Sequence, residues 1–145
     1  MQTKLTTLFV LLILAVLASA CGGAPSTPAG PATSALTEEQ AIEMATNALA
    51  NGYNNDDRDA YVADMDDSMK AAITQEGLSE FIKPLKEKYG NFVSIESAEL
   101  GHAKTEGYVR WTFTCKFEKG TLYFGLVFRP DGTKATGAFI NEQKP

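Results

Sequence analysis

The chain has 145 residues and a formal net charge of −5, which argues against nucleic acid as a partner because a phosphate backbone requires a basic surface. Lys83, Lys86 and Lys88 do not supply such a surface, since Glu80 and Glu87 accompany them as on a solvated helix face. After the first 20 residues, no segment approaches the ~18 consecutive apolar residues of a membrane-spanning helix. The remainder of the chain is therefore expected to lie in water.

Residues 1–20 have the anatomy of a signal peptide. Lys4 provides a positive flank, residues 5–17 form an apolar run, and Ala18-Ser19-Ala20 leads into Cys21. This arrangement resembles bacterial lipoprotein signals. The resemblance implies that Cys21 carries a diacylglycerol thioether, with a further acyl chain such as palmitate on its amine, and anchors the protein at the extracytoplasmic face of the cell membrane. The alternative is an ordinary secreted protein with a free Cys21.

Residues 22–35 contain only Gly, Ala, Pro, Ser and Thr. This composition cannot bury enough apolar surface to offset its ordering entropy, so residues 21–36 are predicted to form the lipidated cysteine and a disordered tether. The folded domain is expected over residues 37–141. Residues 142–145 are expected to form a polar, frayed tail.

A first helix is predicted to begin at Thr37, because Thr37-Glu38-Glu39-Gln40 has the capping-box pattern. Asn51-Gly52 is its expected end. Apolar residues at helical spacing form its stripe: Ile42, Ala45, Leu49 and Tyr53.

Two further helical stretches follow. The second is expected to be broken near Asp66-Asp67, and its stripe is Tyr61, Met65, Met69 and Ala72. The third is expected to end at Gly90, and Pro84 inside it should either kink the helix or move its start toward the C-terminus. The apolar positions of this third stretch are Leu78, Phe81, Ile82, Leu85 and Tyr89.

After Gly90 the apolar period changes from helical to two, which indicates strands. Four strands are predicted, over residues 92–104, 108–118, 121–129 and 134–140. Short turns between them predict an antiparallel meander. Helices that precede such a sheet predict an α+β domain, in which the N-terminal helices pack on a curved four-stranded antiparallel sheet.

The second predicted strand separates two faces. Its inward side is apolar: Val109, Trp111, Phe113, Cys115 and Phe117. Its outward side is predicted to be wet: Arg110, Thr112, Thr114, Lys116 and Glu118. Cys115 is therefore expected to behave as a small core hydrophobe.

Several short segments of the sequence resemble a bacterial family of domains of unknown function, DUF3887. They are Ala48-Leu49-Ala50-Asn51-Gly52-Tyr53, Gly90-Asn91-Phe92, the run from Phe117 to Leu122, and the run from Val127 to Gly132. The family is similar to the nuclear-transport-factor-2-like (cystatin-like) cone fold, and it often follows a lipoprotein signal or precedes an α/β-hydrolase. The resemblance covers about residues 37–141. It implies a pocket between the concave sheet face and the helices, which some relatives use for isomerase or hydratase chemistry.

Eight side chains are candidates for the lining of such a pocket. They are Tyr53, Tyr61, Met65, Phe81, Trp111, Phe113, Cys115 and Phe124. Isomerase-type chemistry needs a carboxylate base beside an oxyanion donor, whereas the inward faces of the two central strands carry no acid. An apolar lining of this kind is more typical of a core than of a ligand site, and it indicates neither a cofactor nor a metal.

A Cys–His dyad is not supported by the spacing of the only histidine, His102, and Cys115. A hairpin about Thr105-Glu106-Gly107 sets His102 opposite Arg110 on the wet face. Cys115 is then about 16 Å away at ~3.3 Å per residue, which is beyond hydrogen-bond reach.

An acidic cluster is the remaining candidate site, because hard cations take several carboxylates from a short loop. It comprises Asn54, Asn55, Asp56, Asp57, Asp59, Asp64, Asp66 and Asp67. An EF-hand that starts at Asn55 fails, since Ala60 stands where glycine is required and Asp66 replaces the closing glutamate. The preferred interpretation is a loop and helix start in which Asp57 caps the helix or complements its dipole.

Two classes of function remain. The first is a membrane-anchored, non-catalytic module that binds a protein, an envelope component or a small apolar ligand, with a homodimer through the sheet as a further candidate. The second is a pocket enzyme or hydrolase-accessory domain of the cone-fold class. The chain itself has no Gly-x-Ser-x-Gly elbow. A buried Asp or Glu beside Tyr53, Tyr61 or Trp111 in an open cavity would favour the enzyme, and a filled cone would favour the binding module.

Overall fold

The computed structural model describes residues 30–145, in which a helical half precedes a sheet. The helical half contains α1 (Glu38–Thr46), a π-helical segment (Asn47–Tyr53), α2 (Arg58–Tyr61), α3 (Asp67–Ala72) and α4 (Gln75–Tyr89). The sheet contains β1 (Phe92–His102), β2 (Val109–Phe117), β3 (Gly120–Phe128) and β4 (Gly137–Asn141), antiparallel and in the order β1-β2-β3-β4. The predicted α+β class and four-stranded meander are confirmed. Within residues 30–145, no helix is both long and apolar enough to cross a bilayer.

The first helix begins as predicted and ends later than predicted. The Gln40 amide donates to Thr37 Oγ1 (3.3 Å) while the Thr37 amide donates to Gln40 Oε1 (3.0 Å), which completes the capping box. Asn51-Gly52 does not end the helical path, because the chain continues as the π-helical segment to Tyr53. Gly52 instead permits close packing: a Cβ there would come within 2.5 to 2.7 Å of Tyr61 in α2.

The second stretch is broken into α2 and α3, as expected. Asp57 caps α2 by accepting from the amides of Asp59 (2.9 Å) and Ala60 (3.1 Å), so the predicted helix-capping role of Asp57 is confirmed. Asp66 caps α3 in the same way, through the Met69 amide at 2.9 Å. The acidic cluster therefore serves two helix starts. In residues 30–145, no group of three or more His, Cys, Asp or Glu side chains is arranged to hold a metal ion.

The third helix, α4, runs through Pro84 as one 15-residue element, so the predicted shift of its start is wrong. It begins at Gln75, behind the N-cap Thr74, whose hydroxyl accepts from the Gly77 amide at 3.1 Å. Proline removes one intrahelical hydrogen bond, and the carbonyl that loses it belongs to Glu80, which is exposed and can bind water. Gly90 ends the helix with φ 76°, as predicted.

Two irregularities interrupt the pairing of β1 with β2. The register with β2 shifts between Phe92 and Ser94 and again between Ile95 and Ser97, as happens at β-bulges. The hairpin register is one residue from the predicted one: His102 pairs with Val109 and not with Arg110. His102 therefore shares the face of Val109, and its Nε2 lies 2.7 Å from the carbonyl oxygen of Gly30.

The outward face of the sheet is only partly wet, which corrects the sequence prediction. Lys116 is exposed, but Thr112 is buried with 6% of its surface accessible. The cover is the ring of Phe139 in β4, which lies so close over Gly125 that a Cβ there would overlap it. Gly125 is the cross-strand partner of both Thr112 and Phe139. The missing side chain at Gly125 thus makes room for an aromatic cover on the outer face.

The last residues of the predicted tether pack against the domain. The Ala35 amide donates to the Pro130 carbonyl at 2.8 Å, and Leu36 is buried in the core. These contacts begin the packed unit before Thr37, because one backbone hydrogen bond and one buried leucine stabilise a segment whose composition alone indicates disorder.

Candidate functional site

Seven of the eight candidate pocket residues belong to the packed core. They are Tyr53, Tyr61, Met65, Trp111, Phe113, Cys115 and Phe124. Aromatic pairs fill the space beneath the sheet: the rings of Phe113 and Phe124 stack at 6.2 Å, and that of Tyr53 meets Phe117 edge-on at 5.3 Å. The space between the sheet and the helices is thus occupied by the protein's own side chains.

The Tyr53 hydroxyl serves a structural contact. It donates to the Gly90 carbonyl at 3.1 Å, which ties the π-helical segment to the end of α4. Burial raises the pKa of Tyr53 to about 12. A hydroxyl that is buried, protonated and already bonded is not available to a ligand.

Cys115 and the buried polar residues offer no catalytic group either. Burial raises the pKa of the Cys115 thiol to about 12, so the nucleophilic thiolate is absent at neutral pH. In residues 30–145, Thr112 is the single buried residue with a polar or charged side chain, apart from the aromatic residues and Cys115. The described core therefore contains no carboxylate that could act as a general base beside the aromatic side chains.

The eighth candidate, Phe81, lines an open groove of about 360 Å³ between α3, α4 and β4, and the core residue Tyr61 lines the same groove. We call it the α3–α4 groove. Its lining residues are Tyr61, Met69, Ala72, Ile73, Thr74, Gly77, Leu78, Phe81, Ala138 and Phe139. Phe81 keeps 44% of its surface accessible, although it is a large apolar side chain. The groove thus presents apolar surface to solvent.

Among the polar side chains that line this groove, Tyr61 is the one whose hydroxyl takes part in no described hydrogen bond. Within residues 30–145 its hydroxyl has no hydrogen-bond partner, whereas the Thr74 hydroxyl already caps α4. The Tyr61 ring packs edge-on against Phe124 at 6.4 Å. Burial raises the pKa of the Tyr61 hydroxyl, so it stays a hydrogen-bond donor throughout the neutral range.

Sequence reasoning missed most of the groove. Met69 and Ala72 stand out as a helical stripe, but their spacing cannot tell a core-facing position from a groove-facing one. Gly77 has a local signal: it lies in the first turn of α4, where a side chain would narrow the groove toward Thr74. Ala138 lies across the sheet, where no local pattern relates it to the helices.

The order of the elements defines an α+β domain in which helices precede a four-stranded antiparallel meander, and the groove lies between the two parts. The family model described as "Protein of unknown function (DUF3887)" matches residues 47–135, which is more than half of the chain. The chain therefore belongs to this family. The match runs from the π-helical segment to Ala135, which bridges to Met65 just before β4.

A solved structure has the same fold. An NMR structure of a protein from Ruminococcus gnavus ATCC 29149 aligns with a TM-score of 0.56 and 12% identity, and the alignment covers 72% of this chain and 90% of that one. At that identity the likeness concerns the fold alone. No curated protein matches the sequence.

Proposed function

We propose that the protein is a lipid-anchored, extracytoplasmic binding module whose α3–α4 groove takes a small, mainly apolar molecule with one hydrogen-bond acceptor. The observation that carries the proposal is the presence, in one groove, of the half-exposed Phe81 and of Tyr61, whose hydroxyl has no hydrogen-bond partner within residues 30–145. Phe81 supplies apolar contact, and Tyr61 fixes the orientation of the ligand through its acceptor.

The size of the groove suits a small ligand. Its volume of about 360 Å³ falls near the lower end of the ~300–1,000 Å³ typical of ligand sites. Covering the exposed part of Phe81 contributes on the order of 1 kcal/mol. One donor in an apolar wall is the arrangement that selects a ligand by orientation.

Binding is favoured over catalysis by the residue types at the groove. Its lining contains no Asp, Glu, His, Lys or Cys, so it holds no ordinary general base or nucleophile. Tyr61 alone, with a raised pKa, is a donor and not a base at neutral pH.

We also propose that the domain has the nuclear-transport-factor-2-like cone fold. The support for this part of the proposal is that helices cover one face of a bulged antiparallel sheet.

The anchor part of the proposal depends on Cys21, which lies outside the described residues. Its support is the sequence alone: an apolar run and small residues that lead into a cysteine. Eight residues separate Cys21 from Gly30, a length that spans at most roughly 30 Å. The domain would then lie close to the membrane surface.

The groove is tested with N-phenyl-1-naphthylamine, an apolar dye whose fluorescence rises on transfer from water. We expect the wild-type protein to bind the dye and Phe81→Ala to weaken binding about fivefold, since that is the effect of ~1 kcal/mol. Val93→Ala is the matched control, because within residues 30–145 Val93 is the other exposed large apolar residue (53%) and lies outside the groove. Equal dye binding by the two variants would contradict the assignment of the α3–α4 groove as the binding site.

The anchor is tested by detergent phase partition of the protein expressed from its full sequence in bacteria. We expect wild-type protein in the detergent phase, and mass spectrometry should find acyl chains on Cys21. Cys21→Ala should move the protein to the aqueous phase. Cys115→Ala is the control for loss of a cysteine, and it should remain in the detergent phase. A wild-type protein without acyl chains would overturn the anchor and leave the groove proposal standing.

A further inference from the structure

We propose that the outer face of the sheet carries a second binding site, separate from the α3–α4 groove, that takes a small organic carboxylate on Arg110. The site is a concavity of about 230 Å³ beside the β1–β2 hairpin. Its lining residues are Ala103, Lys104, Thr105, Arg110, Val127, Phe139, Asn141 and Pro145.

The guanidinium of Arg110 has donors without acceptors. Its Nε is fully buried and lacks a hydrogen-bond partner among the described residues. None of the hydrogen bonds or ion pairs within residues 30–145 uses its terminal nitrogens. Arg58 differs: its guanidinium donates to the carbonyls of Ile73 and Lys70 and to Asp59. A buried donor without an acceptor is unfavourable. The terminal nitrogens are not buried in this way, and they are the donors that a bound anion would use.

The ring of Phe139 holds Arg110 in place. The guanidinium carbon lies 5.9 Å from the ring centre, within the range of a cation–π contact. Phe139 is itself seated over Gly125. The guanidinium is therefore pre-positioned, which lowers the entropic penalty of binding a planar acceptor.

Gly101 leaves open space next to Arg110. The two residues are cross-strand partners, so a side chain at position 101 would project on the same face as the guanidinium. A Cβ built at Gly101 meets no atom within 4 Å. The position opposite Arg110 is thus free for a ligand.

The charges around the concavity favour an anion although the chain as a whole is acidic. Lys104 lines the concavity and has no ion-pair partner among the described residues. The carboxylate of Glu99, in the neighbouring register row, is already paired with Lys144 at 2.6 Å. Within residues 30–145, neither Lys104 nor Arg110 forms an ion pair with an acidic side chain.

The shape of the site selects a carboxylate with an apolar body. A carboxylate accepts two parallel hydrogen bonds from a guanidinium, while Val127, Phe139 and Pro145 supply apolar walls. The volume of about 230 Å³ is below the ~300 Å³ of ordinary ligand pockets, so the ligand is small. Inorganic phosphate matches the walls poorly, because it has no apolar part to cover them.

Benzoate is the probe, and the Nε–Hε NMR signals of the arginines in the purified full-length protein are the readout. The chain has three arginines. We expect benzoate to shift the Arg110 signal and to leave those of Arg58 and Arg129 in place. Arg110→Gln should weaken binding by about tenfold or more, the effect of a lost charge-assisted pair, when followed on the Lys104 and Thr105 amides. Arg110→Lys should weaken binding less.

Gly101 provides a second test that leaves Arg110 intact. Gly101→Glu places a carboxylate in the open space and should abolish benzoate binding, whereas Gly101→Gln of the same size should retain at least part of it. Phe81→Ala should not change benzoate binding, which separates this site from the groove. An unmoved Arg110 signal, benzamide binding as tightly as benzoate, or phosphate binding more tightly would each overturn the proposal.

Discussion

Two buried tyrosines of the helical half differ in what their hydroxyl groups contact. The hydroxyl of Tyr53 donates to the Gly90 carbonyl at 3.1 Å, so it stabilises the fold. Tyr61 lines the α3–α4 groove and its hydroxyl has no described partner, so we propose that this hydroxyl binds a ligand. The same residue type thus has a structural role at one position and a proposed binding role at the other.

Removing each hydroxyl should separate these roles. Tyr53→Phe leaves the buried Gly90 carbonyl unpaired and should lower the free energy of unfolding by about 1–2 kcal/mol. Tyr61→Phe should leave stability nearly unchanged and weaken binding of a ligand that carries an acceptor. Urea denaturation measures the first effect and titration the second. A stability loss at Tyr61→Phe equal to that at Tyr53→Phe would contradict the difference.

Trp111 is a core residue, with only 6% of its surface accessible. Its ring stacks on Phe113 at 6.5 Å. Trp111→Ala should therefore lower the free energy of unfolding by about 3–5 kcal/mol, because it leaves a large cavity. Chemical denaturation provides the measurement, and a loss below that of the exposed Val93→Ala would show that the strand face is assigned wrongly.

The π-helical segment is the element where tertiary packing decides the local structure. The Asn54 amide donates to the Leu49 carbonyl, five residues back, at 3.0 Å, the spacing of a π-helix. Gly52 lies in this segment against Tyr61. The segment of residues 48–53, which resembles the DUF3887 family, thus contains a close contact between two helical elements.

Gly52→Ala should be poorly tolerated for that reason. The added methyl group would lie within 2.5 to 2.7 Å of Tyr61 atoms, two of them backbone, and relief requires the π-helical segment and α2 to separate. We expect a loss of about 1–3 kcal/mol in the free energy of unfolding. Gly101→Ala is the matched control, since its methyl group meets no atom within 4 Å. Equal melting temperatures would refute the packing argument.

Local signals predict the ends of several elements, and long-range contacts explain the misses. The capping box at Thr37 and the glycine at position 90 are recognisable because a helix end is determined by a few neighbouring residues. The predicted helix end at Gly52 is wrong because a glycine can either end a helix or permit close packing. The contact with Tyr61, which local sequence does not show, identifies the second role. The His102 register is missed because the turn closes with the Ala103 amide on the Tyr108 carbonyl, a pairing that turn composition leaves open.

The candidate site is less predictable than the sheet. Tyr61 and Phe81 are identifiable as candidates from their apolar stripes. That these two residues line a groove, whereas Trp111 and Cys115 lie only in the filled core, depends on how α3 and α4 meet β4. No periodicity within one element contains that information.

For the whole molecule, burial of protonated groups predicts weaker stability at high pH. Burial raises the pKa of Cys115 from 9.0 to about 12 and that of Tyr53 from 10.0 to about 12, and it also raises the pKa of Tyr61. In the unfolded chain these groups have their ordinary pKa values, so they lose their protons at a lower pH than in the folded protein. The difference in proton binding does not reduce stability below about pH 9, and it lowers the free energy of unfolding as the pH rises toward about 12.

Urea denaturation at a series of pH values measures this loss. We expect the free energy of unfolding to fall between about pH 9 and pH 11. Cys115→Ala should give a shallower fall, because one ionising group is removed. A free energy of unfolding that is independent of pH in this range would contradict the assignment of these groups as buried.

The central claim, that the α3–α4 groove binds apolar molecules, is tested most directly by methyl NMR of the methionines. Met69 lines the groove, whereas Met44 and Met65 are buried in the core. On titration with N-phenyl-1-naphthylamine, we predict that the Met69 methyl signal moves progressively while those of Met44 and Met65 stay in place. Dye binding that leaves the Met69 signal unmoved would contradict the claim.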